Sequence, residues 1–377
     1  MAPTYSKPGP QAVNPDTGIT RIGPVRAVRW AASSAAALWL LVCGCSSESP
    51  PVVAPAPPTD PVEITAPGFP PLPIPPDNPT TRQGIDLGRR LFYDPILSST
   101  VSMSCASCHA PEFAFTDHAN TVSTGVRGLR GRRNAPSLTN IGWNLAQFWE
   151  GRRTTLEEQA GDPVPAHDEM DLPWDQAVGR VATDPRYPPL FRAAFGTPEV
   201  SRDRIVKAIA QFERTMVSVG SRYDTFLRTR TGFTASERRG YVMFFNEKAD
   251  CFHCHVDKTF TDFGYQNNGL DSVFTDTGRM MISGDPNDLG KFKTPTLRNL
   301  AFTAPYMHDA RFATLQEVID HYDLHAKASP TVNPFIRVSG RTLGLTAQDK
   351  LDLLAFLLTL TDSAFVNNAE LQSPFGP

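Results

Sequence analysis

Two stretches of the chain share one pattern: Cys105-Ala-Ser-Cys108-His109 and Cys251-Phe-His-Cys254-His255. Both read C-x-x-C-H, the pattern by which c-type haem is attached to a protein. Two thiols add to the two vinyl groups of the porphyrin, two intervening residues set the span between the thiols, and the adjacent histidine reaches the iron. A redox dithiol or a zinc site is the alternative for each motif, but two motifs that both end in histidine favour haem.

The cysteines outside the two motifs are too few to form a disulfide framework. The chain has six cysteines in all, and the two outside the motifs, Cys43 and Cys45, lie in an N-terminal leader. Six cysteines in a chain of 377 residues are also too few for a disulfide scaffold. We therefore expect all four motif thiols to be used for haem attachment.

Length and charge exclude some classes of protein. At roughly 150 residues per domain, this length allows about two domains. The chain has 36 basic and 39 acidic side chains, a formal net charge of -3. A nucleic-acid-binding protein would normally show a basic excess, so no nucleic-acid partner is expected. The hydrophobic fraction of 40% is enough for packed cores.

The N-terminus has the character of a secretory leader. A basic region precedes Ala31–Val42, a run without charge that is too short to span a bilayer comfortably. The run ends at Val42-Cys43-Gly44-Cys45-Ser46, which resembles a bacterial lipobox. We predict a lipoprotein signal peptide over residues 1–45 with Cys45 as the lipidated residue, and an ordinary signal peptide is the alternative. Ser46 lacks the aspartate associated with inner-membrane retention, which favours a periplasm-facing protein held to the outer membrane by its lipid alone.

A proline-rich stretch follows the leader. Thirteen prolines lie between Pro50 and Pro79. Such a segment tends toward extended polyproline conformations and cannot bury a core. Residues 46–80 are therefore predicted to be a tether, with a proline-rich ligand for a partner domain as the less favoured interpretation.

The rest of the chain is predicted to be all-α, with two cytochrome-c-like helical domains and one covalent c-type haem in each. The domains are expected at residues 81–218 and 219–365, followed by a tail at 366–377. No long alternating run indicates a sheet. The helical evidence is of two kinds. Apolar residues recur at helical spacing at Leu87, Leu91 and Phe92, at Ile205, Ile209, Phe212 and Met216, and at Leu351, Leu354, Phe356 and Leu358. Helix starts are indicated at Thr234 with Glu237, at Thr314 with Glu317 and at Thr346.

From Gly84 to Asp362 the chain resembles the bacterial di-haem cytochrome c peroxidase family, including its MauG branch of protein-oxidising enzymes. The resemblance extends well beyond the haem motifs and covers most of the mature chain. In family order the matching segments are Phe115-Thr-Asp117, Arg133-Asn134-Ala-Pro136-Ser-Leu138, Phe148-Trp149-Glu-Gly151-Arg152, Leu156-Glu-Glu-Gln159, Glu169-Met170, Asp276-Thr-Gly278-Arg279, Phe292-Lys-Thr-Pro295-Thr-Leu-Arg298-Asn299 and Thr303-Ala-Pro305-Tyr306-Met-His308-Asp309. The resemblance implies that the first haem is the peroxide site and that the second haem relays electrons.

The resemblance also implies the residues around the peroxide site. Cleavage of peroxide moves a proton from the near oxygen to the far one, and a carboxylate within hydrogen-bond reach can carry it. Glu169 matches the family's acid, Gln159 its distal glutamine and Pro163 its distal proline. His167 is a neighbour that could also titrate.

Between the haems, Trp149 matches the tryptophan through which the family passes electrons, and it would also pack under a haem edge. Asn134, Thr303 and Pro305 match an inter-haem calcium site built from one amide oxygen and two backbone carbonyls, a donor set that suits Ca²⁺ together with water. Asn134 could equally cap a turn.

Two departures from the peroxidase pattern point to the MauG branch. The histidine that usually blocks the first iron until the second haem is reduced is replaced by Val126, which cannot ligate iron, so we expect an open first haem. His118 is the only nearby rival. At the usual methionine position on the second haem stands Tyr322, whose phenolate would favour the higher oxidation states of iron, whereas methionine raises the potential. Met307 and His321 are alternative ligands.

A third departure limits what can be carried over. The MauG enzyme that matures a tryptophan cofactor has a surface tryptophan two residues before the second haem motif, and this chain has Ala249 there. The resemblance therefore does not identify a particular protein substrate.

We predict an enzyme, an oxidoreductase acting on peroxide. Its reaction partners would be H₂O₂ together with a small redox protein donor, a cytochrome c or cupredoxin, or a protein whose side chain is oxidised. A non-catalytic di-haem electron carrier is the alternative and would need both irons saturated by protein ligands. Peroxide sensing through a bound partner is a third possibility, for which the sequence holds no argument in either direction.

Overall fold

The computed structural model describes residues 60–117, 120–256 and 258–376. The predicted signal peptide, the Cys45 predicted to be lipidated, the first part of the predicted tether and His118 lie outside these residues. Among the described helices, none combines the length and the apolar character needed to cross a membrane.

The described chain is mostly helical, as predicted. Its α-helices are α1 Arg82–Tyr93, α2 Leu156–Ala160, α3 Trp174–Thr183, α4 Tyr187–Phe195, α5 Arg202–Glu213, α6 Arg222–Thr229, α7 Ala235–Phe244, α8 Met280–Ser283, α9 Leu315–Asp320, α10 Ala347–Leu358 and α11 Ser363–Val366. A π-helix, His321–His325, continues α9. Short 3-10 turns occur at Pro95–Leu97, Cys105–Ser107, Pro111–Phe113, Ile141–Trp143, Cys251–His253, Pro286–Asp288, Leu300–Phe302 and Ala369–Leu371.

One small sheet was not predicted. Strands β1, Tyr265–Gln266, and β2, Phe292–Lys293, pair antiparallel, with Tyr265 opposite Lys293. Two residues per strand are too few to produce the alternating pattern by which strands are recognised in a sequence. The sheet matters for the site because it carries Lys293.

The first core forms where α1 crosses α5. Gly88 makes this crossing possible, because a Cβ at that position would lie 1.9 Å from the carbonyl oxygen of Ala208. The apolar stripe predicted at Leu87, Leu91 and Phe92 is fully buried here. Helices α2, α3 and α4 complete this core, and Phe365 of α11 also packs into it.

The second core repeats this construction with α7 and α10. A Cβ at Gly240 would lie 1.9 Å from the carbonyl oxygen of Asp352, so these helices also approach backbone to backbone. Phe356 is fully buried at the centre of an aromatic cluster. Leu351 and Leu358, part of the predicted stripe of α10, are instead about half exposed, at 54% and 45%. Phe356 of the predicted stripe does lie on the buried face, but its buried companions are Leu353 and Leu357, one position before the predicted Leu354 and Leu358.

The three helix starts indicated by the sequence are confirmed. Thr234, Thr314 and Thr346 each accept a hydrogen bond from the backbone N–H three residues later, and the acidic residue at that position bonds back to the cap. This reciprocal pair satisfies donors that the first turn of a helix leaves without partners. The starts of α7, α9 and α10 were therefore readable from local sequence.

More than half of the predicted tether, residues 60–80, is described and packs against the folded part of the chain. The N–H of Val62 donates to the carbonyl of Thr80. Asn78 is 1% exposed and donates to Glu157 of α2 at 2.6 Å. The indole of Trp143 donates to the carbonyl of Pro70 at 2.9 Å. Proline-rich backbone retains its carbonyl acceptors, and here side chains of the folded part use them. The predicted domain limits at 81, 218 and 365 stay a prediction.

Candidate active site

The first cysteine–histidine motif begins with the 3-10 turn Cys105–Ser107, and its histidine is oriented by a backbone carbonyl. Nδ1 of His109 lies 2.8 Å from the carbonyl oxygen of Phe115. Ala114 and Phe115 have φ angles of 51° and 61°, in the left-handed region, which turns that carbonyl toward the ring. A histidine whose Nδ1–H is fixed in this way presents Nε2 to a metal.

The second motif has the same construction. Nδ1 of His255 lies 2.9 Å from the carbonyl oxygen of Phe260, a fully buried residue with φ of 53°. Beneath this loop, the guanidinium of Arg298 donates to the carbonyl of Lys258 at 2.6 Å. Two bonds of 2.9 Å also join Arg298 to the carboxylate of Asp224. Arg298 is thus a buried support for the segment that orients His255.

The chemistry of both motifs fits c-type haem. Cys105, Cys108, Cys251 and Cys254 form no disulfide with one another, so all four thiols can be used for haem attachment. Burial lowers the pKa of the His109 and His255 imidazoles, so both rings are neutral at pH 7 and can ligate iron.

Glu169 lies beside the first motif. Burial, with a smaller contribution from the charge of Asp168, raises the pKa of the Glu169 carboxyl to about 6, and the charge of Arg152 opposes the rise. The Glu169 charge in turn contributes to raising the pKa of the Cys105 and Cys108 thiols, which lie near it. This carboxyl can exchange a proton close to neutral pH.

The other predicted residues of this region are arranged around Glu169. Val126 donates its backbone N–H to the Glu169 carbonyl at 2.9 Å. Gln159 lies half-buried on α2, and within the part of the chain that is described no hydrogen bond joins it to Glu169. His167 is mostly exposed, and its Nδ1 lies 2.9 Å from the carboxylate of Asp171. Pro163 accepts the backbone N–H of Met170 at 3.2 Å.

A cavity of about 100 Å³ brings together the residues predicted to lie between the haems. Trp149 lines it, and the indole Nε1–H donates to the backbone carbonyl of Asn134 at 2.8 Å. Thr303 and Pro305 lie in the same wall. Asn134 donates its side-chain N–H to the carbonyl of Thr121 at 3.2 Å, which leaves its side-chain oxygen available as an acceptor.

Buried ion pairs fasten the two halves of the chain around Trp149. Arg133 pairs with Glu150, and it also holds both carboxylate oxygens of Asp276 at 2.7 and 2.8 Å. Arg279 donates to the carbonyls of Glu150 and Gly151 at 2.9 and 2.8 Å. Three of the segments singled out in the sequence, around 133, 150 and 276, therefore form one structural unit.

Tyr322 lies in the π-helix that follows α9. A π-helix is rare and concentrates at functional sites, because its extra residue per turn re-aims the side chains. The amide of Asn268 lies 3.4 Å from the Tyr322 hydroxyl and 3.5 Å from the sulfur of Met307. Nε2 of His321, another candidate ligand, lies 3.0 Å from the carbonyl oxygen of Asn268.

The pKa of the Tyr322 phenol is raised to about 12, mainly by burial, with further contributions from the Cys254 and Cys251 charges, while the Asn268 bond lowers it. The phenol therefore lies near the second motif and is neutral unless a metal displaces its proton.

Several residues of the site were not predicted. The carbonyls of Phe115 and Phe260, the amide of Asn268 and the Arg298–Asp224 pair have no residue-type signature. Lys293 and Arg298 do lie in a segment that the resemblance singled out, so their presence was noted but not their roles.

The paired motifs, their carbonyl-oriented histidines and the two helical cores define a class: a protein built to hold two c-type haems. A family model described as "Di-haem cytochrome c peroxidase" matches residues 82–232. The chain is 36% identical over 293 residues to the methylamine utilization protein MauG of Methylorubrum extorquens, covering 77% of this chain and 81% of that protein. The chain belongs to the di-haem cytochrome c peroxidase family, which confirms the resemblance.

Other relatives agree. Over 256 residues the chain is 38% identical to the cytochrome c551 peroxidase of Nitrosomonas europaea, covering 66% of this chain and 76% of that one. Among solved structures, a MauG-like protein associated with microbial copper homeostasis has a TM-score of 0.76 and 39% identity, covering 82% of this chain and 97% of that chain. The diheme peroxidase BthA of Burkholderia thailandensis has a TM-score of 0.68 and 26% identity, covering 86% and 99%.

The predicted enzyme class is thereby confirmed. The protein is an oxidoreductase acting on peroxide, and it either reduces H₂O₂ with electrons from a protein donor or uses H₂O₂ to oxidise a protein side chain.

Proposed function

We propose that the chain is a MauG-like member of its family whose first haem is open to peroxide without prior reduction of the second. The observation that carries this proposal is Val126, at the position of the family's blocking histidine and hydrogen-bonded to the carbonyl of Glu169 at 2.9 Å. An aliphatic side chain offers the iron no ligand. The electron-carrier alternative, which needs a ligand there, is disfavoured for the same reason. His109 would hold the first iron and His255 the second, with the haems attached through the four motif cysteines in two helical domains.

Glu169 is the proton carrier at the first haem. When bound, the haem iron supplies the coordination position and the electrons that O–O cleavage needs. With a pKa near 6, the Glu169 carboxyl is mostly ionised at pH 7 and can accept the proton of the near oxygen, then return it to the departing one. Gln159 assists by orienting the peroxide from α2.

Trp149 relays oxidising equivalents between the haems. Support comes from its indole, which is hydrogen-bonded to Asn134, and from the Arg133–Glu150–Asp276 ion pairs, which hold the surrounding backbone. A fixed position of Trp149 favours electron transfer between the haems, because a side chain that moves must reorganise each time an electron passes.

Tyr322 is the second protein ligand of the second haem. Its position in the π-helix and its nearness to Cys251 and Cys254 support this role. Of its rivals, His321 has Nε2 turned to the carbonyl of Asn268, and Met307 shares the Asn268 amide with Tyr322. A coordinated phenolate stabilises the higher oxidation states of iron, as charge sharing between two haems requires.

A calcium ion between the haems is part of the proposal. The oxygen donors would be the side chain of Asn134 and the backbone carbonyls of Thr303 and Pro305, which line one cavity with Trp149. Neutral oxygen donors with water fit Ca²⁺. The test is a comparison of haem spectra and bound metal before and after treatment with a calcium chelator.

The oxidising equivalents are finally neutralised by a protein partner, either a small redox donor or a protein side chain. The proposed location is the periplasm-facing cell envelope, with Cys45 lipidated in the outer membrane. Radiolabelled fatty acid incorporated into the wild-type precursor but not into a Cys45→Ala precursor is the expected result.

Titration of the oxidised, purified protein with H₂O₂, followed by near-infrared and Mössbauer spectroscopy, tests the proposed function. We expect both irons to change oxidation state together before any donor is added. Two low-spin irons, each with two protein ligands and unchanged by peroxide, would instead identify an electron carrier. A resting first haem that responds to peroxide only after reduction would identify a conventional gated peroxidase.

A further inference from the structure

Lys293 holds the only charged side chain among the eighteen described residues that line the cavity beside Trp149. It lies on β2 and is 9% exposed. Its Nζ donates to the carbonyl of Ala146 at 2.9 Å, and its backbone N–H donates to the carbonyl of Trp149 at 2.7 Å. One residue thus fastens both ends of the segment 146–149 to the small sheet.

Within the described part of the chain, the charge on Lys293 has no direct counter-ion. No ion pair within 4.0 Å involves Lys293 among the described residues, although most buried charges are paired. The carboxylate whose charge acts on the Lys293 pKa is that of Glu150, which already pairs with Arg133 and Arg152. Burial lowers the pKa of the Lys293 ammonium to about 8, so it is still mostly charged at pH 7. A buried and unpaired charge needs an explanation beyond packing.

We propose that Lys293 is a positioning residue for Trp149. It fastens the segment 146–149 to β2 and holds a positive charge in the wall of the cavity that Trp149 also lines, so that oxidising equivalents pass through Trp149 without remaining there. This proposal rests on the relay role proposed above for Trp149.

The physical argument is electrostatic. Removing an electron from the indole leaves a positive charge on it, and a second positive charge nearby raises the energy of that state. Inside a protein this repulsion is far stronger than in water, because the surroundings screen charges poorly. A relay that is harder to oxidise than either haem transmits the equivalent but does not store it.

Oxidising equivalents that remain on Trp149 lead to chemical modification of its indole. An indole that keeps its oxidising equivalents is attacked by water, so that Trp149 and one H₂O₂ give hydroxytryptophan and one H₂O. The new C–O bond takes its oxygen from water, the two electrons lost by the ring reduce the peroxide, and the two protons released complete the second water molecule. This side reaction reports how long oxidation resides on Trp149.

The experiment uses the full-length protein with both haems, treated with stoichiometric H₂O₂ and no donor. Trypsin cleaves after Arg133 and Arg152 and releases one peptide, 134–152, that contains both Trp143 and Trp149. Tandem mass spectrometry measures the hydroxylated fraction at each position. Trp143 is buried and hydrogen-bonded to Pro70, outside the proposed relay, and serves as an internal control.

Three substitutions separate the effect of the Lys293 charge from the effect of its hydrogen bond to the Ala146 carbonyl. Lys293→Met removes the charge and the Nζ donor, Lys293→Gln keeps a side-chain donor for the Ala146 carbonyl but no charge, and Lys293→Arg keeps the charge. The backbone bond to Trp149 remains in all three variants. We expect roughly three- to tenfold more hydroxylation of Trp149 in the Met and Gln variants, and near wild-type levels in the Arg variant. Trp143 should not change in any of them. Lys248→Met, which removes an exposed lysine from the surface, should behave as wild type.

Equal hydroxylation of Trp149 in wild type and the Gln variant would overturn the electrostatic proposal, and so would an Arg variant as damaged as the Met variant. Should the Met variant fail to fold, the Gln and Arg variants still decide the question. A separate variant tests the relay role of Trp149 on which this proposal rests. If Trp149→Phe still shows both irons changing together with peroxide, the relay role itself is wrong. If charge sharing between the two irons requires Trp149, but Trp149 is hydroxylated equally in wild type and in the Lys293 variants, then only the proposed role of Lys293 is wrong.

Discussion

The backbone N–H of Val126 donates a hydrogen bond to the backbone carbonyl of Glu169, with 2.9 Å between nitrogen and oxygen. The neighbouring Gly125 is equally close to this loop, since a Cβ there would lie 2.2 Å from the carbonyl oxygen of Asp168. The two segments are therefore locked together. A side chain at position 126 therefore projects from backbone bonded to the acid proposed to cleave peroxide, and under the proposed function it controls access to the first haem.

Val126→His should convert the open first haem into a blocked one. An imidazole at this position can ligate the iron, so we expect a low-spin spectrum at room temperature. The rate constant for H₂O₂ with the oxidised protein should fall at least about tenfold, because the peroxide must displace a ligand. Val126→Leu, which changes only bulk, is the control and should keep the wild-type spectrum. A high-spin Val126→His protein would argue against this geometry.

Glu169→Gln should slow the reaction with peroxide without disturbing the haem spectra. Loss of a positioned proton carrier typically costs about 10²- to 10⁴-fold in rate. Stopped-flow measurement of the second-order rate constant checks this. The matched control is Asp168→Asn, an exposed neighbour that should change the rate little. Equal rates in wild type and Glu169→Gln would assign the proton transfer to another group.

The same carboxyl predicts a pH profile. The pKa of Glu169 is raised to about 6, mainly by burial, and the ionised form is the one that accepts a proton. The rate constant should therefore be maximal above pH 7 and decline as the pH falls through 6. Arg152 lowers this pKa, so Arg152→Gln should move the midpoint to higher pH, while Asp168→Asn should move it slightly lower. A profile that is flat between pH 5 and 7 would contradict the assignment.

Tyr322→Phe should change the spectrum of the second haem and leave that of the first unaltered. Tyr322→Met should instead raise the reduction potential of the second haem, because a thioether favours the reduced iron more than a phenolate does. Spectroelectrochemical titration measures both. Tyr306→Phe is the control, since the Tyr306 hydroxyl donates to the carbonyl of Leu300 and lies outside the proposed ligand set. No spectral change on Tyr322→Phe would direct attention to Met307 or His321.

Arg298→Met should destabilise the fold. Arg298 is 1% exposed and bonds both oxygens of Asp224, so its loss leaves a buried carboxylate without its partner, at a cost of about 3–5 kcal/mol at pH 7. Burial acts to raise the pKa of Asp224, but the bonds from Arg298 and Ser221 outweigh it and hold that pKa below 3.8. A lowered carboxyl pKa contributes stability above pH 3.8 that is lost as the pH falls through the folded-state value.

The difference between wild type and Arg298→Met should therefore shrink as the pH falls through the lowered folded-state pKa of Asp224, below which this carboxyl is neutral in both proteins. Urea unfolding at several pH values measures it. Lys327→Met removes a half-exposed partner of Asp271 and should cost no more than about 1 kcal/mol. A similar small cost for Arg298→Met would show that the buried pair contributes little.

The helix starts were predictable because their signals are local. A threonine cap and the acidic residue three positions later bond to each other within one turn, whatever the rest of the chain does. The face that α10 buries was read less well, because a helix with apolar residues on several sides can turn more than one of them inward. Only the close approach at Gly240 and Asp352 selects Leu353, Phe356 and Leu357.

The sequence by itself determined the haem-binding chemistry and the family, because covalent attachment needs thiols and an imidazole at one fixed spacing, and that spacing is written in five consecutive residues. Only the tertiary structure decided which atoms orient the two histidines and which charged groups lie in the site. The Phe115 and Phe260 carbonyls reach their histidines through left-handed turns. Lys293 meets Trp149 across more than a hundred residues of chain, and its charge matters because folding removes it from water. Spacing along a chain is a one-dimensional property, whereas burial and electrostatic contact exist only after the backbone has closed on itself.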